Sequence, residues 1–176
     1  MDYKDTLDSP VGRITVASDG DALIGLWLEG QKYFEATLDD AEQRSDLPVL
    51  VETRAWLSRY FEGIDPGPLP RVDPRGSTFR RRVWHLLAEI PYGHVTTYGD
   101  LARRMSDRTG SPASARAVGG AVGHNPISII LPCHRVVGAG GSLTGYAGGL
   151  ANKLTLLELE GVETSRFKVP TKGTAL

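Results

Sequence analysis

The stretch Ile130–Val137, ILPCHRVV, contains the only cysteine of the 176-residue chain and lies between two apolar runs. The run that leads into it, 127–131, predicts a strand. Residues 136–137 and 143–146 flank a glycine-rich turn, and this pattern predicts a β-hairpin. The sequence on both sides of Cys133 therefore predicts β structure.

Two short helices are predicted upstream of this stretch. A capping-box pattern that begins at Thr97 predicts a helix through about Met105. After a polar connection, Ser111 as N-cap and Pro112 as the first helical residue predict a second helix over about 112–122. Two helices joined by a turn and followed by a hairpin have the outline of a winged helix-turn-helix.

The remainder of the chain predicts an N-terminal sheet and three further helices. Apolar runs separated by turn residues predict strands near 3–7, 14–17 and 22–28. The segment 63–70 is rich in proline and glycine and predicts a domain boundary. Helical spacing of apolar residues predicts three helices. The first is Pro48–Phe61, and the second has Ser77 as its N-cap. The last contains Leu150, Leu154 and Leu157 and ends at Gly161.

Composition excludes several classes of protein. Hydrophobic residues make up 40% and charged residues 23% of the chain, which is typical of a globular protein and excludes a disordered one. No apolar run is long enough to span a membrane, and the N-terminus lacks the pattern of a signal peptide. With a single cysteine, these features predict a cytoplasmic protein without a membrane partner.

Charge is distributed unevenly along the chain, although the net charge is only -1. Residues 1–70 hold six basic and fourteen acidic residues, a net charge of -8. Residues 76–153 hold nine basic and three acidic residues, a net charge of +6. The second segment contains Cys133, so its charge indicates either contact with a polyanion or chance clustering on solvated faces.

Cys133 is either a buried core residue, as free cysteines commonly are, or a nucleophile. A lone thiol cannot form an intramolecular disulfide and supplies too few ligands for a cysteine metal site. His134 could take the thiol proton directly or through one water, and a carboxylate could orient the imidazole. Glu158 and Glu160 on the last predicted helix are the candidates. Neighbouring side chains of a strand point to opposite faces, so direct contact between thiol and imidazole requires a turn at this point.

The predicted helix 112–122 carries small side chains apart from one arginine, Arg116. Such a helix could approach a nucleic-acid groove closely, with Arg116 on phosphates or inside the base stack. It could equally pack tightly against another helix and leave Arg116 solvated. Asn125, Tyr98 and Tyr146 are by default a loop asparagine and two core aromatic residues.

Several motifs together closely resemble the O6-alkylguanine-DNA alkyltransferase family. They occur in the family's order from about residue 78 to 161, and the N-terminal 70 residues fit the family's variable domain in outline. The motifs are PYG (91–93), TYGDLA (97–102), RAVGGA (116–121), NP (125–126), PCHRVV (132–137), GYAGGL (145–150) and LLELEG (156–161).

The resemblance implies an α/β chain of α+β type in two domains. Residues 1–70 would form a ribonuclease-H-like sheet-plus-helix domain. Residues 76–163 would form a winged helix-turn-helix-like domain that binds DNA and accepts the alkyl group, and 164–176 would be a tail. It implies an enzyme that acts once, without cofactor or metal, and moves an alkyl group irreversibly from the O6 of guanine or the O4 of thymine to its own cysteine.

The resemblance also implies catalytic roles. Cys133 would be the acceptor, His134 its base through a water, and Glu160 the carboxylate that orients the imidazole. Asn125 would tie the helix-turn-helix to the active-site segment. Tyr98 would donate a hydrogen bond to the purine as guanine leaves.

The implied partner is double-stranded DNA, approached from the minor groove with the alkylated base flipped out. Arg116 would fill the space that the base leaves, and Tyr146 would line the base pocket. The protein would act as a monomer that can cluster on DNA. Further residues implied at the DNA or the base are Ala115, Gly119, Arg135, Ala147 and Gly148.

The chain departs from the family pattern at three places. The connection 106–111 is longer than is usual between the two helices. Ser128 stands where some members carry proline, and Ala147 where some carry serine. The zinc site of some members is not expected, because the first 70 residues contain neither Cys nor His.

Three other functions compete with repair. An alkylation sensor that regulates transcription would share the chemistry, but the large sensors carry extra DNA-binding modules. Alkyltransferase-like proteins bind lesions but lack the cysteine. A cysteine hydrolase would need an oxyanion site, for which the sequence gives no sign.

Overall fold

A computed structural model describes residues 1–143 and 145–169. The N-terminal part has four strands, which are β1 Asp2–Ser9, β2 Gly12–Ser18, β3 Leu23–Leu28 and β4 Ala41–Gln43. They form one sheet of order β3-β2-β1-β4. Strands β1 and β2 pair antiparallel, as do β2 and β3, while β4 runs parallel to β1. The first three strands were predicted, whereas the short polar β4 gives no apolar pattern.

Helix α1, Pro48–Phe61, packs on this sheet and has the bounds that the apolar spacing predicts. Proline at the first position suits a helix start, because that N–H has no intrahelical acceptor. Leu50, Leu57 and Tyr60 lie on its buried face. Tyr60 is fully buried and extends beyond the sheet towards the C-terminal part.

The helices α2 Thr78–Ala88, α3 Tyr98–Thr109 and α4 Ala115–Gly123 pack against one another. The predicted N-caps of the first two are confirmed, since the side chains of Ser77 and Thr97 accept backbone N–H bonds. These three helices form the helix-turn-helix part of the domain.

The boundary between α3 and α4 differs from the prediction. Four residues of the expected connection continue α3 to Thr109, and Gly110 ends it in the left-handed conformation, with a φ of 70°. Helix α4 then starts only at Ala115, where the N-cap is Ser114 rather than Ser111. The reason is tertiary: the Ser106 hydroxyl on α3 accepts the backbone N–H of residue 113 at 2.9 Å and holds that residue outside the helix.

The predicted strand over 127–131 is wrong. Ile127 makes a single parallel bridge to Leu26 of β3, and the residues after it form turns. The cause is the buried Asn125 side chain, which accepts from the Ile127 N–H and donates to the Leu131 carbonyl. A loop closed in this way cannot stay extended. The bridge also joins the sheet of the N-terminal domain to the segment before Cys133.

The predicted hairpin after Cys133 is also wrong. Strand β6, Val136–Val137, pairs in parallel with β5, Thr96–Thr97. The glycine-rich turn closes on itself, and its Ser142 forms a bridge to Lys168. Residue 144 of the expected partner strand lies outside the described residues. Tertiary partners therefore take the hydrogen bonds that a hairpin would have used.

The C-terminal helix α5, Leu150–Leu159, matches its prediction, and Gly161 follows it with a φ of 80° as a helix-ending glycine. The start of the predicted tail is structured, since Lys168 exchanges backbone hydrogen bonds with Gly141 and Leu143. Residues 170–176 of that tail lie outside the described residues. Within the described part, no helix has the length and apolar character needed to cross a membrane.

Candidate active site

Cys133, His134 and Arg135 form one turn of 3-10 helix rather than a strand. Pro132 precedes this turn as its N-cap, and the Arg135 N–H donates to the Pro132 carbonyl. Successive side chains of a turn need not point to opposite faces, as they do in a strand. The turn that contact between thiol and imidazole requires is therefore present. Cys133 is buried, with 5% of its surface exposed, and His134 is fully buried.

Glu160 is the carboxylate that reaches the imidazole. Its Oε2 lies 2.5 Å from His134 Nε2, and both side chains are fully buried. Glu158 is exposed and instead accepts a hydrogen bond from Thr164. The residue pattern alone left both carboxylates open and the resemblance implied Glu160; the two carboxylates differ in the side of the α5 terminus on which each lies.

The Glu160 carboxylate accepts four hydrogen bonds. His134 and Tyr60 donate to Oε2, while Arg135 Nε and the Gly93 N–H donate to Oε1 at 2.7 and 3.0 Å. Burial raises the pKa of Glu160, but His134 and Arg135 outweigh it and hold that pKa at about 2. The carboxylate is therefore charged at neutral pH and can only accept, so Nε2 of His134 carries a proton.

The other imidazole nitrogen of His134 is the one available to the thiol. Nδ1 is buried and has no hydrogen-bond partner within the described part of the chain. Burial lowers the pKa of His134, against the opposing effect of Glu160. A neutral imidazole with protonated Nε2 leaves Nδ1 unprotonated, which is the form that can accept a thiol proton.

At rest the Cys133 thiol is protonated, because burial raises its pKa. Asn125 and Lys153 act in the opposite direction, by a hydrogen bond and by charge. Lys153 lies fully buried on α5, with Nζ 2.6 Å from the Val136 carbonyl, and burial lowers its pKa to about 8. No sequence motif points to Lys153, although its spacing from Leu157 and Leu150 puts it near the buried face of the helix.

Asn125 holds the segment before the thiol in place. Its Nδ2 donates to the Leu131 carbonyl at 2.7 Å and its Oδ1 accepts from Ile127 at 3.0 Å. It follows directly on the end of α4 and therefore ties that helix to the Cys133 turn. This position agrees with the role that the resemblance implies.

A small cavity that opens to solvent lies over Cys133. It is lined by Tyr98, Val122, Gly123, Cys133, Gly145, Tyr146 and Ala147. Gly148 leaves no room for a side chain, since a Cβ there would lie 2.6 Å from both Leu28 and Tyr146. The residues that line this cavity thus lie up to 49 positions apart in the sequence.

Apart from Arg116, the exposed face of α4 carries small side chains. Ala115, Arg116 and Gly120 are exposed, and a Cβ on Gly120 would meet open space. Gly119 points inward, where a Cβ would lie 3.7 Å from the Tyr98 ring. The glycine lets Tyr98 approach the helix, and the placement of Gly119 at the DNA or the base stays a prediction.

Arg135 is also placed differently from the expectation. The resemblance grouped it with residues at the DNA or the base, but it is buried. Its guanidinium binds Glu160 through Nε and the Ile90 carbonyl through Nη1, both at 2.7 Å. Arg135 therefore fixes the carboxylate from the side opposite His134. Tyr60, on α1, is a further member of the site that sequence patterns did not reveal.

No group of three or more His, Cys, Asp and Glu side chains within residues 1–143 and 145–169 could hold a metal ion. The structure combines a helix-turn-helix part, a small-sided exposed helix and a cavity over a buried cysteine. The residue that follows this cysteine is the histidine of a buried imidazole–carboxylate pair. These features define a class of two-part helix-turn-helix proteins with a buried cysteine at a cavity.

Comparisons with known proteins specify the class. Family models of 6-O-methylguanine DNA methyltransferase match residues 3–66 (ribonuclease-like domain) and 78–162 (DNA binding domain). The methylated-DNA–protein-cysteine methyltransferase of Mycolicibacterium paratuberculosis is 45% identical over 160 residues, which are 91% of this chain and 92% of the relative. That of Haemophilus influenzae is 42% identical over 153 residues, which are 86% and 82% of the two chains.

Solved structures show the same likeness. OGT of Mycobacterium tuberculosis, in complex with DNA, has a TM-score of 0.76 at 40% identity, with 94% of each chain covered. An O6-methylguanine DNA methyltransferase from Methanococcus jannaschii has a TM-score of 0.64 at 26% identity, covering 98% of this chain and 99% of that one. The chain belongs to the methylated-DNA–protein-cysteine methyltransferase family, as its motifs indicated, and the predicted fold class is confirmed.

Proposed function

We infer that this chain repairs alkylated DNA by transferring the alkyl group from the O6 of guanine, or the O4 of thymine, to Cys133. The observation that carries the residue assignment is the single 3-10 turn that contains both Cys133 and His134, with His134 Nε2 bound to Glu160. Membership of the family supplies the reaction. The buried, otherwise uncommitted Nδ1 supplies the base.

The chemical step breaks one bond and forms another. His134 Nδ1 takes the Cys133 proton through a water, and the imidazolium is stabilised by the charged Glu160. The thiolate attacks the alkyl carbon, a C–S bond forms, and the C–O bond to the base breaks. In the net reaction the thiol proton moves to the released guanine. The thioether is stable, so each molecule reacts once.

Residues around the cavity receive and release the base. Tyr98 donates a hydrogen bond to the purine ring as negative charge develops on it, and Tyr146 forms the wall of the pocket. Ala147 and Gly148 belong to the lid over this wall.

DNA is bound through the small-sided face of α4 in the minor groove, with the alkylated nucleotide flipped out. The alkyl group on O6 lies inside the base stack, so flipping is required and costs roughly a few kcal/mol. Arg116, exposed on α4 and without a partner in the described part of the chain, fills the vacated space and offsets part of this cost. Ala115 lets the helix approach the groove. The basic C-terminal domain predicts salt-dependent affinity.

We further propose that the protein works in the cytoplasm as a monomer and can cluster on DNA. The acidic N-terminal and basic C-terminal segments are complementary in charge, which would favour contacts between neighbouring copies on one duplex.

The direct test uses duplex DNA with one O6-methylguanine that carries a labelled methyl group. Label should move to the protein with a stoichiometry of at most one per chain. Cys133→Ala should abolish transfer and keep lesion binding, because the small side chain leaves the cavity and α4 intact. Transfer by the alanine variant, or several turnovers per chain, would disprove the assignment.

A further inference from the structure

One hydrogen-bond donor to the Glu160 carboxylate comes from the N-terminal domain. The hydroxyl of Tyr60, on α1, lies 2.6 Å from Glu160 Oε2 and 3.4 Å from His134 Nε2. Tyr60 is 100 positions before Glu160 in the sequence and is fully buried. Tyr60 and His134 thus donate to the same carboxylate oxygen.

The Tyr60 ring has little freedom to turn its hydroxyl elsewhere. Trp56 stacks on it, with ring centroids 5.6 Å apart and planes 7° apart. Phe61, Tyr92 and His134 meet it edge to face. Burial, and the neighbouring Glu160 charge, raise the pKa of Tyr60 far above its usual value, so the hydroxyl remains a donor at every working pH.

We propose that Tyr60 is a positioning residue of the alkyl-transfer site: by donating to Glu160 Oε2 it fixes the carboxylate and sets how strongly His134 holds a proton. This inference rests on the proposed role of Cys133 as acceptor. It gives the N-terminal domain a part in the chemistry, because that domain supplies a hydrogen bond to the relay as well as a packing surface.

The direction of the effect follows from the shared oxygen. An oxygen that accepts a second hydrogen bond carries less charge towards His134, so the imidazolium is stabilised less. Without the Tyr60 hydroxyl, Oε2 would face His134 alone and the imidazolium would be favoured. His134 would then become protonated, and stop acting as a base, at a higher pH. The acid limb of the rate profile should therefore move to higher pH.

Removal of the Tyr60 hydroxyl leaves the other groups around His134 unchanged. The titratable or charged side chains near it are Cys133, Arg135, Tyr146, Lys153 and Glu160, together with Tyr60 and its neighbour Tyr92. Arg135 and Lys153 lower the pKa of His134 by their charge, whether or not the Tyr60 hydroxyl is present. A displacement of the limb on removing one hydroxyl is therefore assigned to the Tyr60 bond.

The experiment measures the rate of alkyl transfer from free O6-benzylguanine to the full-length chain between about pH 5 and 9. Tyr60→Phe should move the acid limb upward by about one pH unit, which is a roughly tenfold loss of rate on the steep part. Tyr92→Phe is the matched control. Its hydroxyl lies in the same aromatic cluster but contacts the Leu159 carbonyl at 3.4 Å, so its profile should coincide with that of the unmodified protein.

A second replacement keeps the proposal testable if Tyr60→Phe does not fold. Incorporation of 3-fluorotyrosine at position 60 preserves the ring and makes the hydroxyl a stronger donor, so the limb should move downward. Profiles that coincide for all folded variants would overturn the role of Tyr60, even with Cys133→Ala inactive. Transfer by Cys133→Ala would instead remove the proposed acceptor on which the inference rests.

Discussion

Replacement of Glu160 by glutamine should both destabilise the protein and slow alkyl transfer. The carboxylate accepts hydrogen bonds from four donors on its two oxygens. An amide has one oxygen and one NH2 group, so at least two of these donors would face another donor. Arg135 would also lose its buried counter-charge, and leaving such a charge unpaired is strongly destabilising.

The magnitude follows from the pKa of Glu160. A decrease from 4.5 to about 2 corresponds to about 3 kcal/mol of interaction that favours the charged carboxylate in the folded state. Because the folded-state pKa is lowered, this stability is fully present above the unfolded pKa of 4.5. It is lost as the pH falls from there towards 2. Glu160→Gln should therefore be less stable by about 3 kcal/mol at neutral pH, and the difference should shrink by about 1.4 kcal/mol by about pH 3.5.

The assay is urea unfolding of both proteins at several pH values between about 7 and 3.5, with alkyl transfer from labelled duplex measured at neutral pH. Glu158→Gln is the matched control, since that exposed carboxylate is two positions away and does not touch His134. A stability difference that stays constant with pH would refute the assignment of the lowered pKa to Glu160. Unchanged transfer by a folded Glu160→Gln would refute its role in the relay.

Two further substitutions test the lid and the recognition helix. Gly148→Ala should cost about 1–3 kcal/mol of stability and slow reaction with free O6-benzylguanine, because its Cβ would displace the Tyr146 ring; unfolding and transfer that match the unmodified protein would contradict the tight packing. Arg116→Ala should weaken repair in duplex DNA and leave reaction with the free base nearly normal, whereas Arg82→Ala, exposed on α2, should reduce duplex repair less. An equal loss by Arg116→Ala with both substrates would exclude a role in base flipping.

The sequence determined the parts of this protein that depend on neighbouring residues. Apolar periodicity and capping residues predicted α1, α2, α5 and the start of α3, because helical hydrogen bonds are local. The motifs around Cys133 and Asn125 identified the family and, through it, the chemistry. A single cysteine next to a histidine left the nucleophile open until those motifs were read together.

Only the tertiary structure decided the geometry of the site. The segment before Cys133 became a loop because Asn125 satisfies its backbone groups, and Val136–Val137 paired with a distant strand instead of a hairpin partner. Glu160 contacts His134 because it lies at the buried side of the α5 terminus, and Arg135 points inward to meet it. Tyr60 joins the relay across 100 positions of chain, which no local pattern encodes, since such contacts arise only when two separately patterned domains share one core.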